Sequence, residues 1–195
     1  MLARPRSSAA CGFRVAARPV PVVTRRSRAM VKPQALKVGD SLRDSPEFYR
    51  VLKASDGSIQ SLAMFVNEHK QPVVLFFYPA AGTPGCTKEA CKFRDEYARF
   101  QDAGAVVFGI SGDAPEKNAE WAKQQRLPFL LLTDPSGIMR KTFGIPNDLL
   151  FLPGRQTYVF DPNGKCVLAF NSQLDAEKHV DEALAALRQL GALKK

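Results

Sequence analysis

The run Pro72-Val-Val-Leu-Phe-Phe-Tyr78 constrains what this chain can fold into more than any other segment. Its β-branched and aromatic residues follow one another with no polar interruption, so a strand here must be buried on both faces. Strands of that kind occupy the centre of an α/β sheet, and Pro79 ends this one. A turn with two prolines and two glycines follows, over residues 79–85. Residues 86–103 then have helical spacing, with Ala90, Phe93, Tyr97 and Phe100 recurring every three or four residues among charged neighbours. Gly104 is the expected helix stop.

The remaining elements read in the same way. Residues 47–53 alternate weakly ahead of Asp56-Gly57, a hairpin-type turn, and residues 61–69 form a short helix. Residues 105–111 are a second apolar strand, 115–125 a helix opening on proline, 129–133 a third strand and 137–143 a short helix. Segments 156–161 and 165–170 flank Pro162-Asn163-Gly164 as a hairpin. Residues 175–190 close the chain as an amphipathic helix, with Val180, Ala183, Leu184 and Leu187 on one face. This order predicts an α/β domain with a mixed central β-sheet flanked by helices.

Charge is distributed unevenly. The chain of 195 residues carries a formal charge of +9, yet residues 1–35 hold seven arginines, one lysine and no acid, and the first acid is Asp40. Removing those eight leaves 20 basic against 19 acidic residues, so the body is almost neutral. A nucleic-acid binder keeps its basic patch on the folded domain, so no nucleic-acid partner is expected. An Arg-rich, acid-free, Ala/Ser-containing N-terminus fits an organellar transit peptide over residues 1–34, leaving 35–195 as the domain. Pro5, Pro19 and Pro21 shorten any amphipathic helix there, which favours a chloroplast address, in the stroma or at the thylakoid, over a mitochondrial one. No stretch approaches the roughly 18 consecutive apolar residues of a membrane-spanning helix.

Four cysteines are present, Cys11, Cys86, Cys91 and Cys166, with Cys11 in the leader. Three irregularly spaced cysteines do not form a secreted disulfide framework; they fit a reducing compartment in which a pair is used for chemistry. Cys86 opens a helix, where unpaired N–H groups and the helix dipole favour thiolate over thiol. Cys91 lies five residues on, which in an intact helix puts the two Cα atoms roughly 8.6 Å apart. A disulfide needs Cα atoms within about 7 Å, so the pair can join only if the helix unwinds. The spacing is not the Cys-x-x-Cys of a dithiol reductase. His69 and His179 have no ligand spacing to either cysteine, so no metal site is expected. His69 reads as a residue at a surface helix end and His179 as one on the polar face of the last helix.

The block from Phe77 to Asp95 (Phe-Tyr-Pro-Ala-Ala-Gly-Thr-Pro-Gly-Cys-Thr-Lys-Glu-Ala-Cys-Lys-Phe-Arg-Asp) closely resembles peroxiredoxins of the peroxiredoxin Q, or bacterioferritin-comigratory-protein, branch. The signature Pro-x-x-x-Thr-x-x-Cys falls on Pro79, Thr83 and Cys86. Further blocks agree, including Gly109-Ile-Ser-Gly-Asp113, Arg126-Leu-Pro-Phe129, the run from Leu152 through Arg155 to Asp161, and Glu177-Lys-His-Val-Asp-Glu182. The resemblance covers about 36–190 and implies a thioredoxin-like fold. It implies that Cys86 is the peroxidatic cysteine and that Cys91 resolves its sulfenic acid as an intramolecular, redox-active disulfide. It also implies that Thr83 and Arg155 activate the site and that Pro79 shields it. Hydrogen peroxide and alkyl hydroperoxides would be the substrates, thioredoxin the reductant, and a monomer the working form, with no metal, haem or flavin. Two features depart from the pattern: Ala80, Ala81 and Gly82 lack the polar residue common at that turn, and Cys166 has no motif role. Cys166 reads as a strand thiol, with glutathionylation as the lesser alternative. From a different functional class, a non-enzymatic redox sensor would use the same cysteine pair.

Overall fold

The computed structural model describes residues 35–148 and 152–192; the leader falls outside them. The first hairpin pairs β1 (Val51–Ala54) with β2 (Ile59–Ser61) about the turn at Asp56-Gly57, and α1 (Leu62–Asn67) follows. Next come β3 (Val73–Phe77), α2 (Pro84–Asp95) and α3 (Tyr97–Asp102), then β4 (Val106–Ser111), α4 (Pro115–Gln125), β5 (Leu130–Thr133) and α5 (Ile138–Thr142). A two-residue pair, β6 (Asn147–Asp148) with β7 (Leu152–Pro153), precedes the hairpin of β8 (Gln156–Phe160) and β9 (Cys166–Asn171), and α6 (Lys178–Gln189) ends the chain. The main sheet has seven strands in the order β2-β1-β5-β4-β3-β8-β9. β3, β4 and β5 run parallel, and every other pairing is antiparallel. The mixed sheet flanked by helices is the one the element order predicts.

Alternation along β3 explains the two-sided core. Val74, Phe76 and Tyr78 face a layer made by α2, α3, α4 and α6, where Ala90, Phe93, Phe100, Trp121, Leu184 and Leu187 are buried. Val73, Leu75 and Phe77 face the opposite layer, with Leu42, Phe48, Leu62, Phe143 and Phe160. All five residues of β3 are buried, as a continuous apolar run in a central strand requires. Gly109 in β4 is a crowded point between the strands, where an added Cβ would come within 2.6 Å of Leu131 and 2.7 Å of the Phe76 ring.

Two elements differ from the sequence expectation. The segment read as alternating from residue 47 opens in a short 3-10 helix, Pro46–Tyr49, and becomes strand only at Val51. The helix read over 86–103 begins earlier, at Pro84, and is broken at Glu96. Glu96 sits at φ −96°, ψ 5°, and its N–H turns to the carbonyls of Lys92 and Arg94, a tightened turn that ends α2. Its carboxylate takes hydrogen bonds from Lys92 (3.3 Å) and Arg99 (2.7 Å), so the break is spanned by charge. No glycine or proline marks it, and the apolar spacing runs across it unchanged.

Overpacking at the crowded strand gives a test of this core. Gly109→Ala should lower stability by about 1–3 kcal/mol in urea unfolding, because the Phe76 ring and Leu131 that the added Cβ meets are both fully buried. An unchanged midpoint would show that the contact is softer than the geometry states.

Candidate active site

The turn between β3 and α2 brings the cysteine to the end of the sheet. Tyr78 is buried, donates its hydroxyl to Asn118 Oδ1 at 2.8 Å and packs against Trp121. Beyond it, the backbone N–H of Ala81 donates to Asp113 Oδ2 at 2.7 Å, which ties the loop to the end of β4. Gly82 takes φ +84°, a left-handed conformation that disfavours a side chain. Thr83 caps α2 from an extended backbone and Pro84 takes the first helical position, where its missing N–H costs nothing. Cys86 is thus in the first turn of α2 and 1% exposed, at the helix end where backbone N–H groups lack intrahelical partners.

Arg155 meets it from the other side. Immediately ahead of β8, and 3% exposed, it donates Nη2 to the Cys86 sulfur at 3.6 Å and Nη1 to Glu89 Oε2. Glu89 lies one turn beyond Cys86 on the same face of α2 and is fully buried. Its carboxyl is pushed up to about 8, because burial penalises its charge more than the Arg155 guanidinium relieves it. Burial works against the charge of Arg155 as well, but Glu89 and Cys86 outweigh it and hold the guanidinium protonated. Gly85 makes the approach possible: a Cβ there would lie 3.1 Å from Nη2 of Arg155. The backbone of Arg155 is fixed on both sides, donating to Gln173 Oε1 at 3.1 Å and accepting from Asn171 Nδ2 at 2.9 Å.

A buried histidine completes the group, and here the sequence expectation is corrected. His179 is not on the polar face of α6; it is fully buried. Its Nε2 lies 2.8 Å from the carbonyl of Ser172, which can only accept, so Nε2 carries the proton. Nδ1 therefore accepts from the Thr157 hydroxyl at 2.8 Å. Glu89 Oε1 faces the same ring nitrogen at 3.7 Å. Burial drives the imidazole down to about 4, and the nearby Arg155 adds to that direction.

The other expected residues are placed less tightly. Thr83 is exposed and donates its hydroxyl to the carbonyl of Ala80 at 3.3 Å. Pro79 is half-buried and lines a cleft of about 220 Å³ with Phe77, Asp134, Arg140 and Pro153. Cys91 shares the unbroken α2 with Cys86, is half-buried, and directs its thiol to Gln125 Oε1 at 3.5 Å. The described cysteines are free thiols, Cys86 and Cys91 among them. Cys166 is a fully buried strand thiol that donates to the carbonyl of Leu168 at 3.2 Å, and burial pushes it up to about 12.

The sequence reading missed Glu89, His179 and Arg140. A signal existed for the first two. Glu89 follows Cys86 by three residues, and His179 precedes Ala183 and Leu187 by four and eight, the spacing of the buried stripe of α6. Arg140 had none, because only the tertiary fold brings it to the site.

The sheet order, the helices on both faces and the cysteine-bearing turn after β3 define a thioredoxin-like α/β domain. Solved structures agree: the peroxidoxin BcpB of Mycobacterium tuberculosis superposes with a TM-score of 0.69 at 38% identity, over 80% of this chain and 98% of that one. A mutant of PrxQ from Xylella fastidiosa gives 0.73 at 25% identity, over 81% and 99%. The profile of the AhpC/TSA family matches residues 44–169, and the chain belongs to that family. Within it the chain resembles the proteins called peroxiredoxin Q. The chloroplastic peroxiredoxin Q of Sedum lineare is 51% identical over 140 residues, 71% of this chain and 74% of that protein. That of Populus jackii is 52% identical over 140 residues, and the match spans 71% of this chain but a little under two thirds, 64%, of the relative.

The buried histidine predicts an acid-side loss of stability. Below the ordinary value of 6.5 the unfolded chain takes up a proton that folded His179 refuses until about pH 4. Stability from this group is therefore complete above pH 6.5 and falls as pH drops toward 4, by roughly 2–3 kcal/mol. His179→Gln should flatten that part of the curve in urea titrations; an undiminished slope would place its origin elsewhere.

Proposed function

We propose that this chain is a thiol-specific peroxidase acting on hydrogen peroxide and organic hydroperoxides. One observation carries the reading: a buried cysteine in the first turn of a helix has a guanidinium 3.6 Å from its sulfur, and that guanidinium is held by a buried carboxylate. The guanidinium donors at the sulfur supply positive charge where the thiolate nucleophile reacts. They also stabilise the charge that develops on the departing oxygen as the peroxide bond breaks. The family and the relatives called peroxiredoxin Q support the same chemistry.

In the first step the Cys86 thiolate attacks the terminal peroxide oxygen. The S–O bond forms, the O–O bond breaks, and its electron pair leaves on water or an alcohol once a proton is taken up. Thr83, released from the Ala80 carbonyl, would offer its hydroxyl to the peroxide, and Pro79 would limit the approach of bulk water. Cys86 is left as sulfenic acid. In the second step the Cys91 sulfur attacks it, water leaves, and a Cys86–Cys91 disulfide forms. Both residues lie on α2, so the beginning of that helix must unwind for their sulfurs to meet. A thioredoxin-type dithiol then attacks the disulfide and returns both thiols, without metal, haem or flavin. The intramolecular pairing is compatible with a monomer. The acid-free, Arg-rich segment 1–34, read with the chloroplastic names of the relatives, supports a transit peptide and a plastid location.

Single-turnover measurements test the assignment. Cys86→Ser should abolish peroxide consumption. Cys91→Ser should permit one oxidation event per molecule but no turnover driven by thioredoxin. Full activity in Cys86→Ser would sink the proposal. Stopped-flow oxidation also separates a peroxidase from a redox sensor, since a sensor without activation by Arg155 reacts near the rate of a free thiol.

A further inference from the structure

We propose that Arg140 is a positioning residue for peroxide reduction: its single guanidinium bridges the backbone carbonyls that immediately precede Pro79 and Arg155, locking the two halves of the active site together. The inference rests on the peroxidase reading above and deepens it.

The need for such a bridge follows from the sheet. β3 and β8 are neighbours, and their ladder ends at the pair Phe77 and Gln156. Beyond that pair the two strands separate. One runs through Tyr78 into the turn that carries Pro79, Thr83 and Cys86; the other, read backwards, runs through Arg155 to Gly154. Backbone carbonyls at such a parting lose their ladder partners and must find others. Arg140 supplies them, with Nη2 donating to the Tyr78 carbonyl at 3.1 Å and Nη1 to the Gly154 carbonyl. The planar fork of a guanidinium holds two carbonyls in fixed relation, whereas the three rotatable donors of a lysine ammonium impose no such geometry.

Arg140 is itself held rigidly. Asp134 accepts the backbone N–H groups of Ile138 (3.0 Å) and Arg140 (3.2 Å), fixing the first turn of α5. The guanidinium lies over the Phe77 ring, 5.6 Å from its centroid. Among the described residues Arg140 forms no ion pair. Burial pulls its proton affinity below the ordinary arginine value, while Asp134 and Cys86 act in the other direction. Its two donors are thus directed at backbone, and its influence on the reaction passes through Pro79 and Arg155. The 3.6 Å approach of Arg155 to the Cys86 sulfur depends on where Gly154 is held. Gly154 has little freedom to compensate: its N–H donates to Pro146 at 3.1 Å, and a Cβ there would collide with the same carbonyl at 2.2 Å.

The test is stopped-flow oxidation of the reduced full chain by hydrogen peroxide, in wild type, Arg140→Ala and Arg140→Lys. Arg140→Ala should slow the oxidation of Cys86 by roughly ten- to a hundred-fold, the scale of a small displacement at a reacting centre. Methylguanidinium, added far below denaturing concentration, should fill the vacated slot and restore much of the rate. Arg140→Lys should stay slow, since charge alone does not span two carbonyls. Disulfide formation after the first step should be unchanged, because Cys91 sits against Gln125. A wild-type rate in either variant, or a slowed Arg140→Ala that methylguanidinium leaves unaltered, overturns the bridge. Should the alanine variant not fold, the lysine variant decides alone. A wild-type chain that reacts no faster than a free thiol instead overturns the peroxidase reading.

Discussion

Glu89 on α2 and Arg155 at the head of β8 confront each other out of reach of water, and the active end of the sheet is arranged around that pair. Burying a charge without a partner would cost several kcal/mol, and the hydrogen bond between the two groups offsets part of that cost. Their meeting fixes the pitch of α2 on the sheet, and with it the place of Cys86 one turn earlier. Gly85 is bare where the guanidinium passes, Asn171 and Gln173 hold the arginine backbone, and His179 closes the remaining side of the carboxylate. The neutral imidazole has its proton committed to Ser172, so it gives Glu89 no donor. Burial keeps the carboxyl's affinity for its own proton high, at about 8, against the pull of Arg155.

This pair also links the two steps of the proposed cycle. Glu89 lies between Cys86 and Cys91 on one helix, so unwinding that brings the sulfurs together pulls Glu89 away from Arg155. The contact that holds the Arg155 guanidinium beside the Cys86 sulfur therefore also ties down the helix. A released Glu89 regains hydration, which offsets part of the lost attraction, and this is how a buried pair can hold a helix without making it immovable. The opposite end of α2 stays anchored, with Arg94 donating to the Gln125 carbonyl at 2.8 Å.

Much of the fold was legible because its strongest elements carry one unmistakable period. The apolar run of β3, the proline at the start of α4 and the hairpin about Asn163-Gly164 are local signals, and the structure has each where residue types demand it. The break at Glu96 was not, because charges that cross it leave the spacing of Phe93, Tyr97 and Phe100 intact. At the site, the cysteines and Arg155 were visible through motif resemblance. His179 was misjudged by its polarity although its spacing placed it on the apolar stripe of α6. Arg140 lies 62 residues from the carbonyl it contacts at Tyr78, a relation that only the closed sheet creates.

In the proposed cycle the Cys86–Cys91 disulfide forms only when the first turns of α2 open. Hydrogen exchange followed by mass spectrometry over residues 84–95 measures this directly, comparing reduced protein with protein oxidised by one equivalent of peroxide. The reduced protein should show protected amides, lose that protection once Cys86 and Cys91 are joined, and recover it on adding a dithiol. Undiminished protection of α2 in protein whose Cys86–Cys91 disulfide is demonstrated would contradict the proposed opening.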